Sequence, residues 1–218
     1  DMHVYYRLTD EGYNKLPFSI YVNNEVIFIA NCTGFFQLSR PKKQYTTFKQ
    51  FKNICVRTIE PINGYLFIGT YGNGYYMLKG TKLIHMPADR NKLLTHVHSF
   101  ISDSGGFIWM TSNMGLFKSR FSSLQDYFEN KTRHVLYTYY DEEYGISNIE
   151  FNGGCYPSWI RLNNGLISLP SIDGLVQFYP DKIVYESYNY PVVIDKVSIN
   201  DSRSEEHTSE LQSPYVIS

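Results

Sequence analysis

Apolar positions come in short bursts along this chain, each bounded by a turn rich in Asn or Gly, and four segments repeat one grammar. They are NNEVIFIANCTGFFQL (23–38), NGYLFIGTYGNGYYML (63–78), GGFIWMTSNMGLFKS (105–119) and NNGLISLPSIDGLVQF (163–178). In each, an apolar strand runs into a small or polar break, then a Gly, then a second strand. That is the pattern of a β-hairpin whose turn needs positive φ. The later glycines, Gly34, Gly74, Gly115 and Gly174, stand 40, 41 and 59 residues apart. Ahead of the middle hairpins lie alternating stretches, NICVRTIE (53–60) and HVHSFISD (96–103), that predict a further strand for each unit.

Three or four strands per repeat with almost no helix between them predict an all-β fold, a partial β-propeller of about four blades. Such a unit cannot bury both faces alone, so neighbours must stack on it. The lengthened last step falls on SSLQDYFENKTRHVLYTYYDEEYG (122–145), expected to lie outside the repeat core. Four blades would leave two open strand edges, which are templates for association.

Composition agrees with the pattern. Aromatics are 17% of the 218 residues, with 20 Tyr and 14 Phe, and such residues favour strands. The net charge is −1, with no basic stripe, which argues against a nucleic-acid partner. Cys32, Cys55 and Cys155 are odd in number and irregular in spacing, so they read as small buried hydrophobes and not as a disulfide framework or zinc site. No run reaches the ~20 apolar residues of a membrane span. The chain opens on Asp1, in mid-pattern, so its natural start is expected to lie upstream.

Phe107-Ile108-Trp109-Met110-Thr111-Ser112-Asn113-Met114-Gly115-Leu116 resembles the blade signature of bacterial two-component regulator propellers, roughly I-W-[IF]-G-T-x-x-G-L. LFIGTYGNGYY (66–76) carries the same core, with Phe67 at the Trp position. EFNGGCYPSWIRLNNGLISLPSIDGLVQFYPDKI (150–183) resembles the family's closing blade, and YPVVIDKVSIN (190–200) the strand that opens the triple-tyrosine β-sandwich following it. Departures are Ala30-Asn31 and Pro170-Ser171 where Gly-Thr is usual, which puts the register or regularity of those blades in question. The resemblance implies blades over 1–183, then a linker and first sandwich strand over 184–202. It further implies a periplasmic sensor region, on the outer face of a bacterial inner-membrane histidine kinase or hybrid kinase. Such a region responds to a carbohydrate or other small solute, acts as a homodimer and uses no cofactor.

Candidate chemistry is sparse. His96 and His98 share a strand face and could chelate a metal, but no third ligand is placed, so we read them as a polar pair lining the propeller channel. Asp141-Glu142-Glu143 reads as a solvated loop, since adjacent carboxylates offer no controlled separation for glycoside hydrolysis. The stretch EYGISNIEFNGGCYPSW (143–159) gathers Tyr144, Asn148, Phe151, Asn152, Tyr156 and Trp159, an aromatic and amide mixture suited to stacking on and hydrogen-bonding a sugar, although Glu150-Phe151-Asn152 reads first as an element that anchors the blade. No nucleophile or metal motif of an enzyme occurs. A ligand-sensing module is therefore the leading expectation, with a propeller glycosidase or lyase and a protein-binding scaffold as rivals.

The final sixteen residues, RSEEHTSELQSPYVIS (203–218), hold one aromatic and no apolar period. Arg203 to Ser213 reads as the translation of a common short-read sequencing adapter, and Ile217-Ser218 as its resumption after an index. This stretch is therefore excluded from fold reasoning. Amplification across Ser202 from the source DNA is expected to yield a different continuation; recovery of this same junction would refute the adapter reading.

Overall fold

A computed structural model of the protein describes residues 17–153 and 156–183. The chain divides into two units, Asp1–Ile183 and Val184–Ser218, and every described residue belongs to the first. The expected sandwich strand, the tail and Cys155 lie outside the described residues.

Each repeat folds into its own antiparallel sheet, with the strands adjacent in chain order. Sheet 1 holds β1 (Ser19–Val22), β2 (Val26–Asn31), β3 (Gly34–Ser39) and β4 (Gln44–Thr47). Sheet 2 holds β5 (Cys55–Ile62), β6 (Tyr65–Tyr71), β7 (Tyr75–Lys79) and β8 (Lys82–His85). In sheet 3, β9 (Val97–Ser102), β10 (Phe107–Ser112) and β11 (Gly115–Arg120) are followed by helix α1 (Phe121–Phe128) and then β12 (Thr138–Tyr140). Sheet 4 holds β13 (Ile160–Arg161), β14 (Ile167–Ser171) and β15 (Gly174–Phe178). The all-β expectation holds, and four successive meanders are consistent with a partial propeller.

The repeated signature has a physical reading at each position. Its hydroxyl closes the central hairpin: Thr70 Oγ1 donates to the Gly74 carbonyl at 2.7 Å and Ser112 Oγ to that of Gly115 at 3.2 Å. Asn31 replaces the hydroxyl in sheet 1, where its Oδ1 accepts from the Thr33 and Gly34 amides at 2.8 and 3.1 Å. The departures at Ala30-Asn31 and Pro170-Ser171 therefore leave the register intact, with Asn31 facing Gly34 and Ser171 facing Gly174 just as Ser112 faces Gly115. Gly115 is required here, because a side chain would run into the Tyr139 ring and the Tyr140 carbonyl.

The signature aromatic packs each sheet on the next. Phe28 joins the cluster between sheets 1 and 2, with Ala30, Phe35, Phe51, Ile59 and Ile68. Phe67 meets Phe100 at 5.2 Å between ring centroids, inside the cluster between sheets 2 and 3. Trp109, wholly buried, lies 4.9 Å from Phe178 and in the cluster with Leu169 and Ile167 of sheet 4. Its indole N–H donates to Asp103 Oδ2 at 2.7 Å, so the ring is buried without orphaning its donor. At the same position sheet 4 has Ser168, with no following sheet among the described residues.

Two expectations are corrected. Segment 122–145 does not lie outside the repeat core: Leu124 and Phe128 are buried, and residues 138–140 supply the fourth strand of sheet 3. Apolar residues at 121, 124 and 128 share one helical face, and Phe121 and Phe128 set their rings edge-on to Tyr65 of sheet 2 at 5.7 and 5.1 Å. The second correction concerns cysteine: Cys32 and Cys55 form a disulfide. It joins the hairpin turn after β2 to the start of β5, and only the stacking of sheets 1 and 2 brings those two points together.

The signature glycine of sheet 2, Gly69, has ordinary backbone angles but no room. A Cβ there would press on the Val97 carbonyl of β9 and the Thr58 methyl, so the absent side chain lets sheets 2 and 3 approach. Gly69→Ala is expected to destabilise the protein by roughly 1–3 kcal/mol through overpacking, read as a Tm lower by several degrees; an unchanged Tm would show that β9 can move aside.

Candidate functional site

The inner strands β5 and β9 both break register near their starts. Val56 pairs with Thr70 and Thr58 with Gly69, leaving Arg57 as the extra residue. In the next sheet Val97 pairs with Ser112 and Ser99 with Thr111, leaving His98. A bulge turns its extra side chain out of the ladder and re-aims it. Arg57 and His98 are 41 residues apart, so they are the same position of successive repeats.

Sheet 4 enlarges this same feature. Phe151 bridges to Ser171, and pairing resumes only at Ile160 with Ser168. The described residues between them, 152–153 and 156–159, thus stand where 98–100 stand in sheet 3. This excursion is stitched to its neighbours. The Phe151 amide donates to the Ser112 carbonyl at 3.1 Å and the Asn152 amide to that of Pro170 at 2.9 Å. Ser158 Oγ donates to the His98 carbonyl at 3.0 Å.

Together these features surround a cavity of about 320 Å³ lined by Arg57, Tyr71, His98, Asn113, Glu150, Phe151, Asn152, Gly153 and Ile172. Within it runs a hydrogen-bond relay. His98 Nε2 donates to Asn113 Oδ1 at 2.5 Å, and Asn113 Nδ2 donates to Glu150 Oε1 at 3.3 Å. Burial holds His98 below the usual imidazole range, against the upward pull of the Asn113 bond, and Arg57 lowers it further. The ring is therefore neutral, its Nδ1 an acceptor. Only 4% of His98 is exposed, yet that Nδ1 has no hydrogen-bond partner, and neither does the buried Nε of Arg57. Buried polar atoms are ordinarily satisfied, so two orphans beside one cavity mark it out. A larger cleft of about 440 Å³ opens between sheets 1 and 2 at the opposite strand ends, but no orphaned atom lines it.

The sequence candidates part company here. His98 and Asn152 line the cavity. His96 stands beside it, edge-on to Tyr71 at 4.3 Å and hydrogen-bonded through Nδ1 to Thr95 Oγ1 at 2.8 Å. Asn148 is a brace: its Oδ1 accepts from the Glu150 amide at 2.9 Å and its Nδ2 donates to Asp173 Oδ2 at 2.9 Å. Trp159 packs against the core cluster between sheets 3 and 4. Tyr144 sits apart, 63% exposed, with its ring on Tyr140. Tyr156 reaches from sheet 4 to sheet 2, where its hydroxyl donates to Glu60 Oε2 at 3.5 Å. Sequence reading missed Arg57, Tyr71, Asn113 and Glu150. For Arg57 a signal existed, the repeat spacing back from His98.

No family model matches the chain. Among curated proteins it is similar to histidine kinase P4 of Formosa agariphila, 27% identical over 133 residues, which is 61% of this chain and 9% of that protein. Among solved structures it is similar to the extracellular domain of a hybrid two component system of B. thetaiotaomicron. The identity is 24% and the TM-score 0.58, over 75% of this chain and 21% of the other. The extracellular domain of a one component system from the same organism matches at 14% identity and a TM-score of 0.61, over 76% and 24%. These solved structures share the fold, and the chain spans less than a quarter of each of these three proteins.

Burial pushes Glu60 up to about 7 from 4.5, only partly offset by the Tyr156 bond. The folded state then holds this proton more tightly than the unfolded one, so stability falls as pH rises from about 4.5 to 7 and stays level above. With solvent screening of a partly exposed carboxyl allowed for, Glu60→Gln is expected to remove about 1 kcal/mol of this decline, roughly 2–4 °C in Tm. Melting curves between pH 5 and 8 check it, and parallel slopes for the two proteins would refute it.

Proposed function

We propose that this chain is part of a β-propeller in the extracellular sensor region of a two-component histidine kinase, and that its cavity binds a small solute, a carbohydrate or another nutrient. The observation that carries the reading is the cavity formed where successive inner strands bulge, with Arg57 Nε and His98 Nδ1 buried and unpaired beside it. A ligand's hydroxyls would pair with the polar side chains that line the cavity.

The likeness in fold to extracellular domains of two-component and one-component systems supports the sensor role. So does the Cys32–Cys55 disulfide, since such bonds persist in oxidising compartments and point to the periplasmic side of the membrane. No helix among the described residues is long and apolar enough to cross a membrane.

The site would bind and not catalyse. The excursion between Phe151 and Ile160 belongs to sheet 4, yet it touches sheet 3 through Ser158 and sheet 2 through Tyr156. A solute seated against Asn152 would favour one placement of that excursion over others, a population shift that a homodimeric receptor passes to its kinase.

Thermal-shift screening of the full-length protein against mono- and oligosaccharides tests this. A cognate sugar at a hundred times its Kd is expected to stabilise by about 2.7 kcal/mol, a Tm rise of several degrees. No shift with any saccharide or other nutrient would overturn the reading and favour a protein-binding scaffold.

A further inference from the structure

We infer that the ligand of this cavity carries an oxyanion, a carboxylate or a sulfate, and that Arg57 is the residue that selects it. The inference rests on the reading of the cavity as a solute site and narrows what that site takes.

Arg57 is the extra residue of the β5 bulge. Its guanidinium lies 4.6 Å from the Phe18 ring centroid and 5.0 Å from that of Tyr71. Two aromatic rings flank the cation but do not neutralise it. The ion pairs among the described residues join Lys131 to Asp126 and to Glu129, so no described carboxylate answers Arg57. Its Nε, a donor in every protonation state, is buried with nothing to donate to. A planar guanidinium is the group that best matches a carboxylate or sulfate through paired hydrogen bonds. The half-buried guanidinium thus lacks a protein counter-charge, which a bound oxyanion would supply.

The remaining lining sets the orientation. Glu150 is the one carboxylate lining the cavity among the described residues, and it takes the Asn113 amide at 3.3 Å, in line with the His98 bond. Its charge repels an anion on that side, while its oxygens accept hydroxyls there. The oxyanion is thereby directed to the Arg57 and Tyr71 side, and the hydroxylated part of the ligand to Glu150, Asn113 and Asn152. Tyr71, 45% exposed, offers a ring face for a sugar between the two. His98, kept neutral by burial, adds no second cation, so discrimination against neutral ligands falls on Arg57.

Titration calorimetry of the full-length protein with digalacturonate, galactose 6-sulfate and neutral galactobiose tests the inference. At least one anionic probe is expected to bind about tenfold or more tighter than galactobiose, and the preference to shrink when NaCl is raised from about 50 to 500 mM. Comparing the two anionic probes tells carboxylate from sulfate. Arg57→Met keeps an unbranched stem between the Phe18 and Tyr71 rings and is expected to abolish the preference. Arg57→Lys, which keeps the charge without the fork, is expected to retain part of it and guards against misfolding of the first variant. Galactobiose binding as tightly as both acidic probes, or an undiminished preference in Arg57→Met, would overturn the selection of an oxyanion while sparing the solute site. Failure of both anionic probes to bind would overturn the oxyanion inference, while the solute site stands or falls on the wider thermal-shift screen.

Discussion

Phe28, Phe67 and Trp109 occupy one position of the repeat, and each presses its sheet onto the following one. Everything else in the described chain depends on that contact. A short antiparallel sheet that is apolar on both faces has no stable form by itself in water, and the aromatic places a large apolar ring at the surface its neighbour covers. The glycine two residues after Phe67 completes the arrangement, since Gly69 lets β9 come close enough for Phe100 to meet that ring. Helix α1 extends the same interface outward, with Phe121 and Phe128 closing over Tyr65.

Because the inner strands are held by the sheets on either side, a residue that leaves their ladder is presented to the space between sheets. Arg57 and His98 leave it at equivalent points, and the excursion of sheet 4 leaves it at the same point on a larger scale. The cavity is thus a by-product of the repeat, specialised by what stands at one position. It is also one of the places where the structure departs from full satisfaction of its polar groups. Buried Arg57 Nε and His98 Nδ1 go unpaired beside it, as Asn31 Nδ2 does in sheet 1. Local cost at a site that the surrounding packing over-determines is how binding surfaces are commonly kept ready.

Much of the fold was legible before any coordinates. Strand and turn assignments rest on neighbours in the chain, and Asn31, Thr70, Ser112 and Ser171 each meet a partner within four residues. The helix over 121–128 was readable too, from its apolar spacing, but the aromatic richness of 122–145 masked that period. The site was half legible. Sequence reading named the stretch that forms the excursion because aromatics and amides were concentrated there, and His98 for its place with His96 on one strand face. It passed over Arg57, a lone cation in an alternating strand, whose role depends on Phe18 lying 39 residues earlier and Tyr71 lying 14 later.

By itself the sequence determined the repeat, the hairpins and the identity of the residue that faces each neighbouring sheet, because period, turn chemistry and side-chain size act over a few residues. Only the tertiary structure decided that Cys32 would reach Cys55, that Tyr156 would cross to Glu60, and that Trp159 would serve the core while Asn152 lined the cavity. It also decided that two bulges would converge on one space with two polar atoms left unanswered. Those outcomes depend on how one sheet rests on another, and that stacking brings together groups that no local pattern relates.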